Sequence, residues 1–163
     1  MLAADTPTWI ASLSAPAGVL VAVLGALYAR KQLLDGRQTQ KRQRVYDLQR
    51  QFDDDIFVLM GGLYSFTAKS PEDARNAWTN GQVNREQISR VLNFFEVIGG
   101  EYNNKLLDEK TAYQTLIYAL VQSWPRVRWF VQWQRDRFGE DRIYDQWEKA
   151  YEKAVSIYSP TVG

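Results

Sequence analysis

Neither cysteine nor histidine occurs among the 163 residues of this chain. Without cysteine there is no disulfide, no thiolate nucleophile and no zinc site built on sulfur. Without histidine, the Ser-His and Cys-His pairs, the usual general base near pH 7 and the usual transition-metal ligand all fall away. Signatures of phosphate loops (GxxxxGK), dinucleotide folds (GxGxxG) and nucleophile elbows (GxSxG) are missing too. Catalysis would rest on Asp, Glu, Lys, Tyr or Ser alone. No catalytic residue, metal or cofactor is therefore expected, no small-molecule substrate is evident, and the chain is read as a binding protein, not an enzyme. Excess charge is also lacking, with 20 Lys and Arg against 19 Asp and Glu. At 45% hydrophobic and 24% charged residues the composition is that of ordinary globular protein. The length suits one domain with a short appendage.

That balanced total conceals a strong segregation. From Trp9 to Ala29 run 21 residues without a charge, WIASLSAPAGVLVAVLGALYA. As a helix this stretch spans about 31 Å at about 1.5 Å per residue, close to the hydrocarbon thickness of a bilayer. Asp5-Thr6-Pro7 supplies a helix start, and Trp9 and Tyr28 stand near the two ends, where amphipathic rings favour the headgroup level. The expectation is a transmembrane helix. A signal peptide is the first rival, but MLAADTPT carries no basic residue and no clear cleavage site follows. A buried or interfacial helix of a soluble protein is the second. Basic residues crowd the C-terminal flank: Arg30, Lys31, Arg37, Lys41, Arg42, Arg44 and Arg50, against Asp35 and Asp47. The positive-inside rule then places the N-terminus outside the inner membrane and the remaining chain in the cytoplasm. The same flank suits anionic headgroups. Within the run, Ser14, Gly18, Ala22 and Ala26 recur every fourth residue, a packing face for a second copy or a membrane partner's helix.

Beyond the flank the pattern is helical throughout. Val45, Leu48, Phe52, Ile56, Leu59, Leu63 and Phe66 step by three and four. Gly36 and Gly61-Gly62 are candidate interruptions. Ser70-Pro71-Glu72-Asp73 opens a second helix, which ends near Asn80-Gly81. Asn84 opens a third, stopped at Gly99-Gly100. Asp108 caps a fourth, which Pro125 kinks or restarts and Gly139 closes, and a last helix runs from about Glu140 to Tyr158. The predicted organisation is a transmembrane anchor over 1–29, a basic stalk over 30–51, a helical bundle over 52–158 and a tail over 159–163. The fold class is all-α.

Asn93-Phe94-Phe95-Glu96-Val97-Ile98-Gly99, Leu106-Leu107-Asp108, Trp124, Arg135 through Gly139 and Trp147-Glu148 together resemble an uncharacterised bacterial family. Its members are small proteins with one N-terminal membrane span and a helical domain of unknown function. The resemblance covers residues 9 to 155. It implies a membrane-tethered helical domain and brings no activity, cofactor or substrate.

Three features are candidates for function. Asp53-Asp54-Asp55 is the densest acidic cluster, but consecutive helical residues fan out by about 100°, so the three cannot converge on one cation. Glu96, at the edge of an apolar stripe, is paired with Arg135 as a candidate buried ion pair. Between Trp124 and Tyr151 lie eight aromatics in 28 residues. On a helical wheel Trp124, Val127, Val131 and Phe138 form a core face, while Trp129 and Trp133, flanked by Arg126 and Arg137, point the other way. Such a face suits the core of the chain itself, a protein partner or the membrane surface. Nucleic acid is disfavoured, because Arg126 to Arg142 holds only five basic against three acidic residues. The expected role is an accessory or assembly subunit of a membrane complex, or a homo-oligomer. The alternatives are an effector that clusters and perturbs the bilayer and, less favoured, a carboxylate-based divalent-metal enzyme.

Overall fold

The computed structural model describes the backbone of residues 8–64 and 68–158 and the side chains of residues 22–62 and 68–157. Its described residues are helical with no strand. Residues 1–40 and 41–163 form two compact units.

The first unit contains most of α1 (Thr8–Gln51). This helix runs through Gly36, since a single solvent-facing glycine costs only about 0.5–1 kcal/mol. Val23, Leu24, Leu27 and Tyr28 are all more than half exposed. Among the described residues no helix is long and apolar enough to cross a membrane. The predicted start at Asp5-Thr6-Pro7 lies outside the described residues, and Trp9, Ser14 and Gly18 lie outside the described side chains.

The bundle begins earlier than the sequence pattern places it, at residue 41 instead of 52. The reason is local: Val45 and Leu48 are already buried in the core. A first π turn (Phe52–Ile56) leads into α2 (Phe57–Tyr64), with Gly61-Gly62 inside the helix. The wide turn shifts the inward register, so Met60 is fully buried where the regular stripe predicts Leu59. Leu63 and Phe66 fall outside the described side chains.

Predicted caps set the next starts. Ser70 accepts from the Asp73 amide at the head of α3 (Pro71–Thr79), and Asn84 from that of Gln87 at the head of α4 (Arg85–Asn103). Asp108 accepts from Thr111 at α5 (Glu109–Ala112). A second π turn (Tyr113–Ile117) joins α5 to α6 (Tyr118–Phe138), which continues through Pro125 without a restart. Gly139 closes α6 at φ +63°, with its own amide and that of Glu140 bonded to Arg135 O. The last helix, α7 (Asp145–Tyr158), starts later than predicted, after a turn in which Tyr144 adopts φ +55°.

Gly99-Gly100 does not end α4. The helix runs on to Asn103 and closes at Lys105 (φ +57°), through bonds from Lys105 N to Tyr102 O and from Leu106 N to Glu101 O. The packing supplies the cause: α4 lies along α7 and α3 lies on α6. A Cβ on Gly99 would come within 2.5 Å of Gln146 O and 2.7 Å of Trp147 N. This glycine permits two helices to approach; it does not break one. Between them sits Trp147, fully buried, 4.7 Å from the Phe95 ring and 5.4 Å from that of Trp124. Its indole N–H donates to Leu120 O at 3.1 Å, so the one polar atom of the ring is satisfied.

Candidate functional site

The Asn93–Gly99 segment forms a seam between α4 and α7. The first amides of α7 lack partners within their own helix. Glu96 supplies one from α4, accepting from Gln146 N at 3.2 Å and Trp147 N at 2.9 Å. Its carboxylate also stands at the positive end of the α7 dipole. Two turns on, Asn103 donates to Gln146 O at 2.9 Å; one turn back, Asn93 accepts from the Tyr144 hydroxyl at 3.1 Å. Burial raises the Glu96 pKa, opposed by the two backbone amides. Burial likewise raises that of Tyr144, which also feels the Glu96 charge.

This geometry corrects the expected Glu96–Arg135 pair. Arg135, only 11% exposed, donates to Ile143 O at 2.9 Å and to Glu148 at 2.8 Å, tying the α6–α7 turn to α7. Glu96 feels it only as a nearby charge, the weakest influence on its pKa. Backbone amides at a helix start are nearer and already aligned, so they take the carboxylate. The seam is a helix cap built from a neighbouring helix.

The arginine-flanked tryptophan face divides in two. Trp133 is 8% exposed and packs on Trp78 of α3 at 5.5 Å, while Trp129 is half-buried under Arg128. Phe138, expected in the core, is 63% exposed. Sequence periodicity could not foresee that α3 covers one side of α6. What remains open there is a cleft of about 600 Å³ whose rim carries Arg75, Arg85, Asp136 and Arg137 over the two indoles. Arg85 is anchored to the end of α3, donating to Trp78 O at 2.8 Å and Thr79 O at 3.3 Å. Arg137 lies 5.6 Å from the Trp133 ring.

Arg126 belongs elsewhere. It lies at a groove of about 410 Å³ walled by Phe52, Phe57 and Met60 on one side and Thr115, Tyr118 and Gln122 on the other. No pattern in the sequence announces this groove, because its walls come from segments sixty residues apart along the chain.

The basic flank is also split. Arg30, Lys31 and Arg37 belong to the first unit, and Lys41, Arg42 and Arg44 to the second. Arg44 holds Glu101 with a forked pair of bonds, its Nε 3.0 and 2.9 Å from the two carboxylate oxygens, and this bond raises the Arg44 pKa. Arg42 lies 3.9 Å from Asp108, whose carboxyl the Thr111 hydroxyl holds below the usual range. Arg44 thus ties α1 to α4, while Arg42 stays largely exposed beside Asp108. Asp53, Asp54 and Asp55 sit exposed in the first π turn, with Asp53 accepting from Gln49 and Asp55 4.0 Å from Arg90. Among the described residues no three acidic side chains could jointly hold a metal ion. Ala22 and Ala26 are exposed on α1.

The chain matches the domain of unknown function DUF4760 over residues 13–154, nearly its whole length. It belongs to that family. No curated protein and no solved structure matches it. The family spans both units, so the apolar part of α1 from residue 13 belongs to the shared pattern as much as the bundle does.

Proposed function

We propose that this DUF4760 protein is a single-pass membrane protein, N-terminus outside, whose helical bundle acts by binding as an accessory or assembly subunit of a membrane complex or as a homo-oligomer. One observation carries the reading: α1 holds a charge-free run from Trp9 to Ala29 followed at once by Arg30 and Lys31. Exposed Val23, Leu24, Leu27 and Tyr28 support it, since a row of large apolar side chains on one helix needs lipid or a partner to cover it. Ser14, Gly18, Ala22 and Ala26 supply the close-packing face for a second helix. The arginine-rimmed cleft over Trp78 and Trp133 is the surface offered to a protein partner.

Fractionation of cells expressing the full chain tests the anchor. The protein should stay with membranes through carbonate washing and leave only in detergent; recovery in the supernatant after lysis without detergent rejects it. The oligomer is tested by replacing both Gly18 and Ala22 with Ile, which should lower the assembly state measured by cross-linking in native membranes.

A further inference from the structure

We propose that the arginine-rimmed cleft over Trp78 and Trp133 receives the first π turn and the start of α2 from a second copy of this chain. Asp54 of one copy meets Arg137 of the other, while Phe57 and Val58 cover the indoles. It rests on the homo-oligomer reading and specifies which two surfaces meet. The cleft is shaped for an apolar body with negative charge beside it. Its floor is the half-buried Trp78 packed on Trp133, and its rim carries three arginines against one aspartate. Two of these arginines meet no carboxylate in the bundle. Arg85 is held by the Trp78 and Thr79 carbonyls, which bear no net charge. Arg137 lies over rings, 5.6 Å from that of Trp133 and 5.2 Å from that of Phe138. A guanidinium stacked on a ring still presents its N–H edge to a carboxylate. The third, Arg75, is paired with Glu72 one turn back, and Asp136 accepts from Gln132.

A segment of matching chemistry lies on the chain itself. Asp53-Asp54-Asp55 is its densest acidic run, and all three are exposed. Phe57 and Val58, just beyond, are 65% and 73% exposed, more than any other large apolar side chain described in the second unit. Steps of three and four place Asp54, Phe57 and Val58 on one helix face. Asp53 accepts from Gln49 and Asp55 lies 4.0 Å from Arg90, whereas Asp54 forms no ion pair among the described residues. Folding thus leaves an acid and two apolar side chains together in water at one place, and cations around an apolar floor at another. None of residues 53–58 lines the cleft of its own chain, so the two surfaces meet between copies. The contact pairs unlike patches, each copy offering both.

Because the chain has no cysteine, single introduced thiols report the contact. Full-length Thr79→Cys and full-length Val58→Cys, carrying tags of different size, are co-expressed and treated in their membranes with a short bis-maleimide. A mixed cross-linked dimer is expected, and none when either variant is treated alone, since like patches do not meet. Arg137→Glu in the first copy should lower the mixed product several-fold, as should Asp54→Arg in the second. The two together should restore it, while Arg128→Glu, away from the cleft, leaves it unchanged. Circular dichroism of each variant should match the parent, and Arg75→Glu takes the place of Arg137→Glu if that variant unfolds. Equal cross-linking in mixed and single samples, or yields that neither reversal changes and their combination does not rescue, overturns the proposal. A cleft that takes another protein's acidic segment gives no mixed product and overturns it as well. Gly18→Ile with Ala22→Ile tests the span separately. A mixed product that persists in that background supports the cleft contact even where the spans do not pack. Assembly that falls there, with no mixed product in any sample, keeps the homo-oligomer and overturns this contact.

Discussion

The α4–α7 seam and the groove between the π turns lie in the same bundle and are built on opposite rules. At the seam Glu96 accepts from two α7 amides, the helices touch through Gly99, and a fully buried indole with its N–H bonded fills the space between them. At the groove, aromatic rings stand in solvent, both bordering helices depart from regular hydrogen bonding, and about 410 Å³ is left open. Residues of the Asn93–Gly99 segment and Trp147 build the first, whereas the walls of the second come from segments about sixty residues apart, so the open surface must be found from geometry.

The contrast can be broken most strongly at Trp147. Trp147→Ala removes the ring between Phe95, Trp124 and Leu120 O and should cost about 3–5 kcal/mol in denaturant unfolding. Gly99→Ala forces a methyl group against the Gln146–Trp147 backbone, which cannot swing aside as a side chain would, and should cost about 1–3 kcal/mol. Glu96→Gln keeps one acceptor and leaves one amide of α7 facing an NH₂ group; about 1 kcal/mol is expected, at the low end because the site is half-buried.

A smaller effect lies in the pH dependence. Burial raises the Glu96 pKa on folding, so its contribution to stability declines as pH rises from the ordinary value of 4.5 through the folded one. The stability gap between parent and Glu96→Gln should therefore narrow as pH rises across that window. Asp108 and Asp145 act in the opposite sense. Their pKa values are lowered by the Thr111 hydroxyl and the Lys149 ammonium respectively, so they stabilise above the ordinary value of 3.8. That stability is lost as pH falls through their folded values, and Asp108→Asn should flatten the acid limb of the unfolding curve. At the groove, by contrast, Phe57→Ser should change stability by no more than about 0.5 kcal/mol, because the ring is already largely in water. A large loss there would mean the groove is part of the core.

Legibility followed the range of the interaction. Caps at Ser70, Asn84 and Asp108 and the closing Gly139 were readable because each acts within a turn of itself. Gly99 was misread as a stop because glycine serves both backbone freedom and close approach, and only the neighbour at Gln146 distinguishes the two. Glu96 and Arg135 were joined as opposite charges in one core. The structure gave Glu96 to the α7 amides and Arg135 to Glu148, since partner choice depends on which groups packing brings within 3 Å or so. For Trp133 the wheel gives a face opposite Val127, and only the fold shows that the ring is buried against Trp78 of α3.

Composition and periodicity alone determined that this chain is helical, that cysteine and histidine chemistry is closed to it, and that its charge-free run and basic flank adjoin. These are properties of single residues and of spacings within one helix. Tertiary structure decided which helix shields which face, which carboxylate meets which amide, and where two distant π turns leave a groove. Contacts between segments far apart in sequence leave no periodic trace, because the chain must fold before those residues become neighbours.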